Sequence, residues 1–154
     1  MSRAFTRETD DDPTALPERT VSPHPNLVTP AGLAAIEARV RELENERQGA
    51  RSAGDTPLRA RLERDLRYFM QRRATARVVP PASATDRVRF GVRVTLRSDS
   101  GAEQSYRLVG EDEADAARGL LSWVSPLAQA LLGQASGERV RFQENELEIV
   151  RIEP

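Results

Sequence analysis

The sequence predicts an α+β protein: an N-terminal antiparallel helical hairpin of coiled-coil type, followed by a small antiparallel sheet domain with one short helix. Three observations predict it. First, Leu33, Ile36, Val40 and Leu43, then Leu58, Leu62, Leu66 and Phe69, recur at steps of three and four, the spacing of a coiled-coil seam. Each stripe alone is too narrow to be stable in water; facing each other, the two bury their apolar sides. Second, Val79-Pro80-Pro81 stops the helical period, because proline cannot continue a helix. Third, the period then switches to two. Val88, Phe90, Val92, Val94 and Leu96 share one face, with Arg89, Arg93 and Arg97 opposite, which is the pattern of a half-buried strand.

Taken in order, residues 1–26 carry Asp10-Asp11-Asp12, four prolines and no apolar period, and are expected to form a disordered tail. His24, the only histidine, lies in this tail between two prolines and is expected to be inert. The hairpin occupies 27–79. Thr29 is the expected N-cap of its first arm, with Pro30 in the first turn, and the arm runs for roughly 24 residues. Gly49, Arg47 and Ala50 weaken its far end, so a splayed, wet tip is expected. Gly54-Asp55-Thr56-Pro57 is a stop-and-restart signal: a left-handed glycine, a capping Asp55 or Thr56, and a proline in the next first turn.

The second arm is rich in arginine. Arg64, Arg67, Arg72 and Arg73 either form the solvated face of an amphipathic helix or make an electropositive stripe able to touch a nucleic-acid backbone. Residues 80–86 read as a stiff linker, and 87–154 as the sheet domain. Ser98-Asp99-Ser100-Gly101 supplies turn chemistry between two strands. An acidic loop follows at 110–115, then a short apolar strand within 119–124. Ser125 caps a brief helix with Pro126 in its first turn and Gly133 at its end. Strands at 139–142 and 146–152 close the chain. Trp123, beside Leu120, Leu121 and Val124, reads as a core residue rather than an interface anchor.

Composition narrows the function. The chain has 154 residues, a net charge of −1 and no cysteine, which excludes disulfides and thiolate metal sites and argues against a general nucleic-acid binder. All 23 basic residues are arginine. No apolar run approaches the roughly 20 residues that span a bilayer, and no secretory signal is visible. A cytoplasmic location and no membrane partner are therefore expected. With a single histidine in the tail, a histidine-based triad elsewhere is excluded.

Five segments carry a family resemblance: NLVTPAGL, ERDLRYFMQRR, VRFGVRVTL, SYRLVGEDEAD and SPLAQALLG, in that order. Together they resemble the bacterial Gre transcript-cleavage factors. The resemblance implies an N-terminal coiled coil followed by an FKBP-like C-terminal domain, with RNA polymerase core as the partner. It implies that the sheet domain docks on the rim of the polymerase secondary channel while the hairpin points inward, within reach of RNA. Asp112, Glu113, Asp115, Ser125 and Pro126 match the family's polymerase-binding surface. In the family, two acidic tip residues help to hold the second Mg²⁺ of the polymerase active site, which activates a water for hydrolysis of backtracked RNA. The factor has no cofactor of its own and is not itself the enzyme.

This chain departs from that pattern at the tip. Gly54-Asp55 matches the first acid, but Thr56-Pro57-Leu58-Arg59-Ala60 follows where the second should stand, and the next carboxylate is Glu63. Both arms read as shorter than the family's by some two turns each, about 10–15 Å of withdrawal. Magnesium tolerates little error in ligand distance. Asp55 thus has two readings, helix cap and metal ligand, and the departure argues against cleavage stimulation. A monomer is expected. Two alternatives stand beside this one: a short-coiled relative of the nucleoside diphosphate kinase regulators, and an FKBP-type prolyl isomerase drawing on Phe90, Tyr106, Trp123 and Phe142.

Overall fold

The computed structural model describes residues 16–154. Helix α1 spans Pro30–Ser52 and helix α2 Thr56–Thr75. Thr29 caps α1 as its sequence predicts, its hydroxyl accepting the amide of Gly32 at 2.9 Å. Gly54 takes φ +69°, a left-handed conformation that only glycine adopts without strain. Asp55 caps α2, its Oδ1 accepting the amide of Leu58 at 3.0 Å. Val40, Leu43, Ala50, Leu62 and Leu66 form the buried seam, with Leu58 and Phe69 packed at its margins. At the far end Ala50 stays within the buried seam, 4% exposed, while Arg47, Gln48 and Arg51 turn to solvent.

Helix α2 stops at Thr75, four residues before the expected Val79. The Asn26 side-chain amide donates to the carbonyl of Arg72 at 2.7 Å and to the Thr75 hydroxyl at 3.2 Å, supplying a partner for a carbonyl that the helix end leaves open. The chain then extends as β2 (Arg77–Val78), which pairs in parallel with β1 (Leu27–Val28). Entry and exit of the hairpin are thereby tied together.

Of the expected tail, residues 1–15 lie outside the described residues. Residues 16–26 depart from the expectation: they form a strap laid against α2. The Arg19 guanidinium sits 3.9 Å from the ring centre of Tyr68 and 3.6 Å from Asp65, and Glu18 pairs with Arg67 at 2.5 Å. Cation–π and ion-pair contacts hold this segment where apolar burial is scarce. Hydropathy alone does not register such contacts.

The C-terminal domain is a curled five-stranded sheet in the order β5-β4-β3-β7-β6: β3 Arg93–Ser98, β4 Glu103–Val109, β5 Leu120–Ser122, β6 Arg139–Phe142 and β7 Asn145–Glu153. Neighbours are antiparallel except β4 and β5, which run parallel. That pairing needs a crossover, supplied by the acidic loop and a 3₁₀ turn at Ala116–Arg118. Strand β3 starts at Arg93, because Gly91 at φ +89° turns the chain; Val88 and Val92 still reach the core from irregular backbone. A bulge opposite Thr95 and Leu96 leaves Val150 as an extra residue on β7. It explains how Ile149 and Ile152, three apart, both face inward.

The core comprises Val88, Val92, Val94, Leu96, Leu108, Val140, Ile149 and Ile152, closed by Ala128 and Leu131 of α3 (Pro126–Leu131). Ser125 caps that helix through the Ala128 amide at 3.3 Å.

Two seam positions separate burial from mere period. Leu43 is fully buried and Leu33 only half-buried. Leu43→Ala is expected to cost about 2–5 kcal/mol in urea unfolding, and Leu33→Ala markedly less. Equal losses would mean that the two helices are not packed along this seam.

Candidate functional site

The acidic loop at 110–115 is where hairpin and sheet domain meet. It starts at Gly110, which is buried beneath β1; a Cβ there would collide with the carbonyl oxygen of Leu27. This close backbone approach delivers three carboxylates to the hairpin base. Asp112 accepts the Tyr68 phenol at 2.6 Å and the Nε of Arg72 at 2.5 Å. Glu111 stands 3.6 Å from Nη2 of the same guanidinium. Glu113 accepts the Thr29 hydroxyl at 2.6 Å, and Gly32 leaves room for it: a Cβ at that position would lie 2.6 Å from Glu113 Oε2. Thr29 therefore both caps α1 and anchors it to the sheet domain.

The Arg72 side chain is only 2% exposed and that of Asp112 12%. A guanidinium so deeply buried survives only with carboxylates against it. Burial, then the hydrogen bond to Asp112, pushes the Tyr68 phenol up to about 12. Because that value lies above the ordinary one, the contribution is complete below about pH 10 and is lost as pH rises through about 12.

These contacts correct the placement of several residues. Arg72 belongs to no nucleic-acid stripe; it is inside the molecule, because the acidic loop covers its face of the helix. Arg64 pairs with Asp65 at 3.2 Å, and Arg67 is held by Glu18. Arg73 is exposed. Glu63 pairs with Arg59 at 3.2 Å, one turn earlier in α2. Of the five residues matched to a docking surface, Asp112 and Glu113 are engaged within the chain. Asp115 caps the 3₁₀ turn through the Ala117 amide at 3.1 Å and remains exposed, as does Pro126 beside the capping Ser125. Trp123 is half-buried, its ring edge-on to His24 at 6.1 Å, so the histidine packs against an aromatic ring.

The tip arrangement is simple. Asp55 spends Oδ1 on its cap, and the next carboxylate along the helix, Glu63, is held by Arg59. These residues do not fit a two-carboxylate magnesium contribution. On the sheet domain, a groove of about 470 Å³ runs past Leu96, Tyr106, Leu127, Phe142 and Leu147. It contains two of the four aromatics that an isomerase pocket was expected to use; Phe90 and Trp123 lie elsewhere.

Sequence reasoning missed the pairing of Tyr68 and Arg72 with Asp112, and of Thr29 with Glu113. The one available signal was Gly110 immediately before three carboxylates, which marks a close backbone approach. Breaking the pair by Asp112→Ala is expected to cost about 3–5 kcal/mol, because it strands a buried charge. Tyr68→Phe is expected to flatten the fall in stability between pH 10 and 12. Denaturant unfolding across that range checks both.

The family model described as "Transcription elongation factor, GreA/GreB, C-term" matches residues 83–154. The chain is 33% identical over 152 residues to transcription elongation factor GreB of Neisseria meningitidis serogroup B, an alignment covering 83% of this chain and 93% of that protein. It is 33% identical over 135 residues to transcription elongation factor GreA of Ruegeria pomeroyi, covering 75% and 86%. Among solved structures, GreA factor homolog 1 (Gfh1) of Thermus thermophilus is similar with a TM-score of 0.42 and 21% identity, over 85% of this chain and all of that one.

Proposed function

The chain belongs to the GreA/GreB family of transcription elongation factors, and from that premise we propose that it binds RNA polymerase core at the secondary channel and regulates elongation by occupying it. The observation that carries this reading is how the hairpin is held. Every hydrogen bond and ion pair described between hairpin and sheet domain lies at the hairpin base, through Thr29, Tyr68 and Arg72. Beyond them α1 continues to Ser52 and α2 begins at Thr56. Twenty-three residues of α1 correspond to roughly 35 Å of rod, held at one end and free to enter a pore.

In this reading the sheet domain docks through the exposed Asp115 and Pro126, with Ser125 between domain core and surface. Asp115 supplies charge that steers encounter with a basic rim and sets register. The buried clamp at Arg72 then fixes the direction in which the hairpin points. The protein acts as a monomer in the cytoplasm and performs no chemistry of its own; Arg73 is the remaining member of the arginine face able to approach RNA.

Occupancy without cleavage follows from the tip. Asp55 is a helix cap and its expected second acid is replaced by the Thr56–Ala60 stretch, so no step of RNA hydrolysis is assigned to this chain. Asp55→Ala is expected to lower stability by about 1 kcal/mol through loss of the cap.

The test is a stalled, backtracked elongation complex supplied with this protein. Co-purification with core polymerase, displacement by a cleavage-competent Gre factor, and slowed synthesis without added RNA cleavage are expected, and Asp55→Ala is expected to behave like the wild type. RNA cleavage that disappears on Asp55→Ala would restore the metal-ligand role. Failure to bind core polymerase at modest salt would end the proposal.

A further inference from the structure

The far end of the hairpin carries a polar groove of about 300 Å³, lined by Arg47, Gln48 and Arg51 of α1 and by Arg59 and Glu63 of α2. Arg47 and Arg51 are four apart, as are Arg59 and Glu63, so each helix presents two neighbouring side chains to the same opening. Arg59 is held by Glu63 at 3.2 Å. Among the described residues, no carboxylate lies within ion-pair distance of Arg47 or Arg51, and both are exposed. The groove therefore offers two uncommitted guanidinium groups, a third shared with Glu63, and the amide of Gln48.

Several of the arginines nearer the base are already committed, while Arg41, Arg61 and Arg73 are exposed but do not line this groove. Arg39 holds Glu42 and Glu46, each at 3.1 Å; Arg64 holds Asp65 and Arg67 holds Glu18; Arg72 is buried. The positive charge lining this groove is confined to Arg47, Arg51 and Arg59, a compact spot and not a continuous track. An extended nucleic-acid strand needs a track of contacts along its backbone. A short polyanion needs only a few convergent forks, and guanidinium groups match phosphate oxygens two at a time.

We propose that this groove is a binding site for a compact polyphosphate, of the class carried by nucleoside triphosphates. Arg47 and Arg51 grip the phosphate oxygens, Gln48 donates a further hydrogen bond, and Glu63 restrains Arg59 while limiting the site to one polyphosphate group. The inference goes beyond channel occupancy and concerns the hairpin alone, so it stands or falls without polymerase present.

The experiment is a ³¹P NMR titration of the full chain with inorganic tripolyphosphate, at low ionic strength and without magnesium. Saturable shifts are expected. Arg51→Gln is expected to weaken binding about tenfold, and the Arg47→Gln, Arg51→Gln double variant to abolish it, while Arg118→Gln, an exposed position on the sheet domain, leaves it unchanged. Arg51→Lys is expected to fall between wild type and Arg51→Gln, since it keeps the charge and loses the fork. Circular dichroism checks that the variants remain folded. A parallel titration with ATP separates the sources. Equal affinity assigns recognition to the phosphates alone, and tighter binding adds the nucleoside; both support the site. Absence of saturation, binding indifferent to Arg47 and Arg51, or a ten-nucleotide RNA that binds more tightly through the same arginines would overturn it.

Discussion

One buried positive charge decides how the two halves of this molecule sit together. Arg72 is removed from water at the last turn of α2, and its desolvation is a cost that only a nearby carboxylate can offset. Asp112 supplies the close contact and Glu111 the longer one. Tyr68 adds a phenol proton to the same carboxylate, while Asn26 takes up the Arg72 carbonyl on the other side. The arrangement requires the acidic loop to lie within hydrogen-bonding reach, which in turn requires a residue without a side chain at Gly110. A paired ion of this kind is worth little against a well-packed apolar substitute, but its geometry tolerates few alternatives. The direction of the hairpin is therefore specified more sharply than its stability would suggest.

The parts of this design that are local in sequence were legible from it. Stripes at three and four residues place the seam, and Thr29, Asp55 and Ser125 cap the helices they were expected to cap, because capping depends on residues within one turn. The arginine face of α2 illustrates the limit. Spacing says which arginines share a face, but not what covers that face from 40 residues away. Arg72 and Arg67 look alike in the sequence, yet one is sealed by Asp112 and the other is held in solvent by Glu18. Asp112 and Glu113 were recognisable as an acidic pair at a loop, whereas their turning inward depends on β1 crossing Gly110. Of the residues matched by resemblance to a docking surface, Asp115 and Pro126 stay exposed and Ser125 is half-buried. The strap at 16–26 was illegible for another reason: it is held by Arg19 and Glu18 contacts, which leave no apolar period.

The sheet domain shows the same division. Alternation correctly identified the core side of β3, but the bulge that lets Ile149 and Ile152 share a face depends on register with a partner strand. Trp123 fits neither simple description offered by its neighbours. Its ring meets His24 edge-on, while its Nε1 is buried without a hydrogen-bond partner. A segment expected to be remote from the domain thus completes the surroundings of the only tryptophan, joining the strap to the end of β5.

The two outer strands have a further consequence. A sheet ending in unpaired backbone is a template on which another chain can add a strand and begin to aggregate. Here β5 has only three residues, and Asp115 folds back to exchange both backbone hydrogen bonds with Leu120. At the opposite border β6 has four residues and displays Arg139 and Arg141 to solvent. Neither border offers a long, uncharged ladder, so fibril-like stacking through this sheet is blocked from both sides.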